Sequence, residues 1–136
     1  KNFMEGYQTL RQLGFGLLDM AYHTQPETVQ DIKTFETKQI EKCSLYPVNV
    51  ETAISPSFSH IFQGGYSAGY YSYKWAEVLD ADAFQYFKEN GIFNSEIARK
   101  YKTLLSLGGT QAPMELYKAF RSSEPKVESL LKRAFG

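Results

Sequence analysis

Apolar residues recur at intervals of three and four along most of this chain, and no stretch signals a β-strand. Phe3, Tyr7, Leu10, Leu13, Leu17, Leu18 and Ala21 set the pattern. That is the helical period, and it predicts a first helix over Phe3 to Tyr22 that ends before Pro26. Gly6, Gly14 and Gly16 weaken its propensity and permit close approach by another helix. Asp31 is placed to cap a short second helix near Ile32 to Glu41, with Ile32, Phe35 and Ile40 facing inward. A long helix is expected from about Ser67 to Asn90, with Trp75, Leu79, Ala83 and Tyr86 as one stripe, Asp80 and Asp82 on its wetter side, and Gly91 as its stop. Asn94 or Ser95 starts the next, and Gly108-Gly109 ends it. Pro113 opens a fifth, and Ser123 caps a last one containing Val127, Leu130 and Leu131. Six helices of unequal length, punctuated by glycine and proline, predict an all-α fold, an irregular helical bundle.

Composition narrows the functional classes. The chain has 136 residues, 43% of them hydrophobic, which suffices for a packed core. Fifteen basic residues balance fifteen acidic ones, so no electrostatic argument points to nucleic acid or to an anionic membrane. The single cysteine, Cys43, permits no intrachain disulfide and suits a reducing compartment. A cytoplasmic location is expected, with a periplasmic one as the alternative. The chain starts at Lys1 and enters periodic sequence almost at once, which suggests a segment of a longer protein.

The chemistry concentrates between His60 and Trp75, HIFQGGYSAGYYSYKW, with one histidine, a Gly-Gly pair and four tyrosines. Between Cys43 and Phe58 periodicity is lost, which reads either as a surface loop or as a loop carrying His60 into a cleft. On a helix, Tyr66, Tyr70 and Tyr73 share one face, while Tyr71 points elsewhere and is the better packing residue. A phenol donates a hydrogen bond without adding charge, which suits stabilisation of a developing oxyanion. The alternative is an aromatic face packed against neighbours. Gly64 and Gly65 either admit a passing peptide or make a sharp turn; no phosphate-loop pattern surrounds them. His60 either touches substrate or is structural. His23 has a capping or surface role at the end of the first helix, and with Asp19 it makes only two potential ligands, too few for zinc. Glu77 and Asp80 read as a solvated face, and Cys43 has no neighbour that would activate it.

The run FSHIFQGGYSAGYYSYKWAEVLDADAF, Phe58 to Phe84, closely resembles the C-terminal region of the M3 zinc metallopeptidases. That family includes thimet oligopeptidase, oligopeptidase A and peptidyl-dipeptidase. NFMEGYQTLRQLGFGLLDMAYHT resembles the helix downstream of the family's zinc site, and GGTQAPMELYKAFRSSEPKVESLLKRAFG its closing helices. Within the family the bacterial peptidyl-dipeptidase branch is the first expectation and oligopeptidase A the second. The resemblance implies a larger, mostly helical, two-lobed enzyme that hydrolyses short peptides in a deep channel, with zinc held by HExxH and a downstream glutamate. No HExxH occurs here, so residues 1–136 are expected to be a C-terminal fragment of the catalytic domain, inactive alone and binding no zinc.

The resemblance carries over the substrate side. His60 matches a histidine that contacts bound peptide. Tyr66 and Tyr73 match tyrosines that bind substrate and stabilise the tetrahedral oxyanion, and Tyr70 matches another cleft tyrosine. Gly64 and Gly65 match a glycine loop that approaches substrate. SPSFSHIF and Lys74 depart from the usual pattern, which bears on subsite preference and local packing. The expected partners are short peptides and the missing N-terminal portion of the same enzyme. Neither nucleic acid nor membrane is expected. A non-catalytic peptide-binding module and a purely structural helical domain are the rival readings. Faces normally covered by the missing portion are expected to drive non-physiological self-association.

Overall fold

A computed structural model describes residues 2–136. Among them are six α-helices and no strands. They are α1 Glu5–Thr24, α2 Ile32–Ile40, α3 Ser72–Asn90, α4 Ser95–Leu107, α5 Pro113–Arg121 and α6 Val127–Phe135. Short 3-10 turns occupy Glu41–Cys43, Ser55–Ser57 and Ser59–Ile61. Among the described residues, no helix is long and apolar enough to cross a membrane.

Local signals set most boundaries. Asp31 stays extended while its carboxylate accepts the Thr34 amide at 3.1 Å. The Asn94 side chain accepts the amides of Glu96 and Ile97 at 3.0 and 3.3 Å. Each cap stabilises its helix by about 1 kcal/mol. Pro113 opens α5, and Gly91, at φ +99, follows the last residue of α3. The final cap differs from expectation. Ser122 ends α5 in the left-handed region, Lys126 is extended, and α6 starts at Val127, so Ser123 and Pro125 lie in the connection.

The chain divides into two compact units, one ending at Trp75 and the other spanning Ala76–Gly136. In the first, α1 packs on α2, and Tyr22 meets Phe35 with ring centroids 4.8 Å apart. The buried side of α1 holds Gly14, Gly16, Leu18 and Asp19, whereas Leu10, Leu13, Leu17 and Met20 stay exposed. The inward face expected for α1 is thus largely its outward one. The helix is apolar on two sides, and α2 with the loop after it covers only one. Cys43 and the Tyr71 backbone approach Gly14 and Gly16, rather than another helix. In α2, Glu36 is buried and Ile32 is exposed.

In the second unit, Ala83, Ile97, Tyr117 and Phe120 form the core, with Leu79, Tyr86, Phe87 and Leu104 against it. Asp82, expected on the wet side of α3, is fully buried. It accepts hydrogen bonds from Tyr117 Oη at 2.7 Å, Arg121 Nε at 3.2 Å and Ser129 Oγ at 3.3 Å. Those partners satisfy a charge that burial would otherwise penalise heavily. Burial and the Asp82 carboxylate push the Tyr117 phenol well above its ordinary range. Leu105, Val127 and Leu131 are exposed.

A candidate substrate-binding tyrosine cluster

The glycines and tyrosines come together by a route the helical spacing does not predict. α3 begins at Ser72, so Tyr66 and Tyr70 precede it and only Tyr73 stands on it. Between them the chain makes successive turns, with Gly69 N donating to Tyr66 O at 2.9 Å and Ser72 N to Gly69 O at 3.0 Å. Ala68 takes a left-handed φ of 53°, which a continuous α-helix cannot contain.

The preceding turn places His60. Gly64 N donates to Ser59 O at 3.0 Å, and Tyr66 N to His60 O at 3.1 Å. The fold-back is so tight that a Cβ on Gly64 would lie 2.7 Å from the Cα of His60. Gly65 has φ +82. The pair makes a sharp turn.

The four rings still converge. Tyr66 and Tyr73 have centroids 5.0 Å apart, Tyr70 and Tyr73 5.1 Å, and Tyr66 and Tyr70 6.4 Å. His60 lies 6.0 Å from Tyr66 and 6.4 Å from Tyr70. Beneath them Phe58 and Phe15 make an apolar floor, with Tyr70 edge-on to both at 5.0 and 6.1 Å. Phe58 is buried, whereas His60 is exposed and Tyr73 is 38% exposed. Tyr71, expected to pack, is 59% exposed, so its ring belongs to neither the cluster nor the core.

Tyr73 is pushed up to about 12, first by its side-chain hydrogen bond with Tyr66, then by desolvation and by the repulsion its phenolate would meet from Tyr66 and Tyr70. The phenol is therefore a neutral donor throughout the physiological range. Two linked phenols carry two hydroxyl protons. Their mutual bond engages one of them.

Two buried carboxylates hold this architecture. Asp19, within α1, accepts the amides of Ala68 and Tyr70, both at 2.9 Å. Glu36 accepts those of Ile54 and Ser55 at 2.7 and 2.6 Å, and so anchors the loop ahead of His60. Tyr22 Oη and Ser55 Oγ are 2.5 Å apart. Sequence reasoning did not find these anchors. The available signal for Asp19 was a lone carboxylate inside the apolar run FGLLDMAY; Glu36, in a polar helix, gave none. His23, whose Nδ1 lies 2.9 Å from Asp19 Oδ1, pairs with that carboxylate. Among the described residues, no three His, Cys, Asp or Glu side chains are grouped so as to hold a metal ion. The side chains present therefore do not fit a zinc site.

The family model for Peptidase family M3 matches residues 1–135. Oligopeptidase A of Escherichia coli strain K12 is 45% identical over 134 residues, which cover 96% of this chain and 20% of that protein. Oligopeptidase A of Salmonella typhimurium is 43% identical over 141 residues, again 96% of this chain and 20% of the relative. Dipeptidyl carboxypeptidase of Salmonella typhimurium is 35% identical over 133 residues, covering 95% of this chain and 20% of its own length. Identity thus runs higher to oligopeptidase A, the second of the two branches expected from the motif. The chain spans about a fifth of the length of these curated relatives. With a family model matched from the first residue to the last but one, and with the turn and the four-ring cluster both built from the most family-like run, the chain belongs to peptidase family M3.

Proposed function

We propose that this chain is the C-terminal, substrate-binding portion of the catalytic domain of a zinc-dependent peptidase that hydrolyses short peptides. The observation that carries the proposal is the open Tyr66–Tyr73 pair, flanked by His60 and Tyr70 on a floor of Phe15 and Phe58. Within this chain His60 is exposed and Tyr73 partly so, which leaves both open to a peptide.

In this reading a peptide lies across the cluster. Tyr66 and Tyr73 together present the one hydroxyl proton their mutual bond leaves over, directed at the oxygen on which negative charge develops. A neutral donor binds the ground-state carbonyl weakly and the oxyanion strongly, so its effect falls on kcat. His60 contacts the peptide backbone beside them, and Tyr70 backs both phenols. The metal ligands belong to residues outside this chain, in an HExxH segment with a further glutamate. The proposed location is the cytoplasm, with the periplasm as the alternative; the lone Cys43 of this chain suits a reducing compartment.

The test is Tyr73→Phe in the full-length enzyme. The expected result is a fall in kcat of about a hundredfold, the usual scale for one oxyanion donor, with KM little changed. Near-normal kcat would remove Tyr73 from this role.

A further inference from the structure

We infer that Asp19 is the positioning residue of the tyrosine cluster, clamping through two backbone amides the segment that carries Tyr66, Tyr70 and Tyr73. Its side chain is fully buried in α1. The two carboxylate oxygens do separate jobs. Oδ1 accepts the Ala68 amide and Oδ2 the Tyr70 amide, each at 2.9 Å and from about fifty residues further along the chain. Those amides flank Gly69 and fall between the turn that delivers Tyr66 and the helix that delivers Tyr73. They also hold Ala68 in its left-handed conformation, at φ 53°.

A carboxylate is the group this geometry calls for. Two backbone donors converge on one side chain, and each needs its own acceptor. His23 completes the arrangement from the next turn of α1. Its Nδ1 lies 2.9 Å from Asp19 Oδ1 and 2.8 Å from Asp19 O; both are acceptors, so Nδ1 carries the proton. An asparagine at position 19 would match the shape but supply one oxygen and one NH2, and one of the two amides would then face a donor. Asp19 touches the backbone rather than the phenols, so it acts through them. The inference rests on the reading that Tyr66 and Tyr73 take part in hydrolysis.

The experiment is a double-mutant cycle in the full-length peptidase, with kcat and KM measured on a short peptide for wild type, Asp19→Asn, Tyr73→Phe and the double variant. Displacement of a catalytic group by about 1 Å costs roughly a hundredfold in rate. Asp19→Asn is therefore expected to lower kcat by about ten- to a hundredfold while KM moves less than about threefold. In the Tyr73→Phe background the same substitution is expected to cost far less, because the hydroxyl pair it positions is already broken. An unchanged kcat in Asp19→Asn, beside an impaired Tyr73→Phe, overturns the role of Asp19 and leaves the proposed function standing. Equal losses in both backgrounds also overturn it, since Asp19 would then act elsewhere. A normal Tyr73→Phe overturns the functional reading and the inference with it. Hydrogen exchange on the unmodified enzyme tests the clamp without any variant. The Ala68 and Tyr70 amides are expected to be strongly protected, and exchange at free-peptide rates at both would overturn the clamp.

Discussion

The rings of Tyr66 and Tyr73 sit 5.0 Å apart and tilted by 33°, although Tyr66 precedes α3 and Tyr73 belongs to its first turn. A turn, rather than a shared helix face, makes them neighbours. Their hydrogen bond is the main reason the Tyr73 proton is held up to about 12.

The difference in phenolate absorbance between wild type and Tyr73→Phe should therefore show a group ionising near 12, and Tyr66→Phe should move that group down toward 10. The sign follows from the raised value. The folded state holds this proton more tightly than the unfolded chain, so its contribution is complete below about pH 10 and is lost as pH rises through about 12. Activity between pH 7 and 10 should show no limb from Tyr73.

Two glycine-to-alanine substitutions should behave oppositely. At Gly64 a Cβ would lie 2.7 Å from His60 Cα and 3.0 Å from His60 O, both backbone atoms, so the turn must open. Gly64→Ala is expected to destabilise by about 2 kcal/mol and to raise KM by displacing His60. At Gly16 the nearest atom would be 3.6 Å away, an ordinary contact, in the interior of α1. Gly16→Ala should be tolerated and should stabilise by up to about 1 kcal/mol through helix propensity. Denaturant midpoints, with KM alongside, check both.

Removing the carboxylate of Asp82 should be costly. It leaves Arg121, only 15% exposed, with the longer 3.7 Å contact to Glu89, and it leaves the Tyr117 hydroxyl only the long 3.5 Å contact to Leu79 O. Asp82→Ala is expected to lower stability by about 3 kcal/mol, and Tyr117→Phe by about 1 kcal/mol. Thermal or urea unfolding reads the difference. Because the Tyr117 pKa is raised, its share of stability is present below about pH 10 and declines at higher pH.

Leu10, Leu13, Leu17 and Met20 are each 37–47% exposed and follow one another at helical spacing along α1. The 136-residue chain by itself is expected to associate through this stripe, and light scattering should show a mass that grows with concentration. Leu13→Glu together with Leu17→Lys should shift it toward monomer. Zinc added to that chain should bring no peptide hydrolysis, and a chelator should not alter its helicity by circular dichroism.

Much of the secondary structure was legible because its causes are local. Asp31, Asn94, Pro113 and Gly91 act on backbone groups within three residues, and each stands where a helix begins or ends. The all-α class followed from the same three-and-four periodicity, and His60, Tyr66, Tyr70 and Tyr73 were recognisable as a group from one contiguous run. What only the tertiary structure decided was how that group is assembled. Asp19 reaches Ala68 and Tyr70 across 49 and 51 residues, Glu36 reaches Ser55 across 19, and Asp82 reaches Tyr117 across 35. A buried carboxylate is stable only where distant donors meet it, and those donors are backbone amides and hydroxyls that no spacing rule singles out. That is why Asp82 read as solvent-facing and Asp19 as half of a weak metal pair, and why the tyrosines were placed on one helix when a turn pinned by Asp19 brings them together.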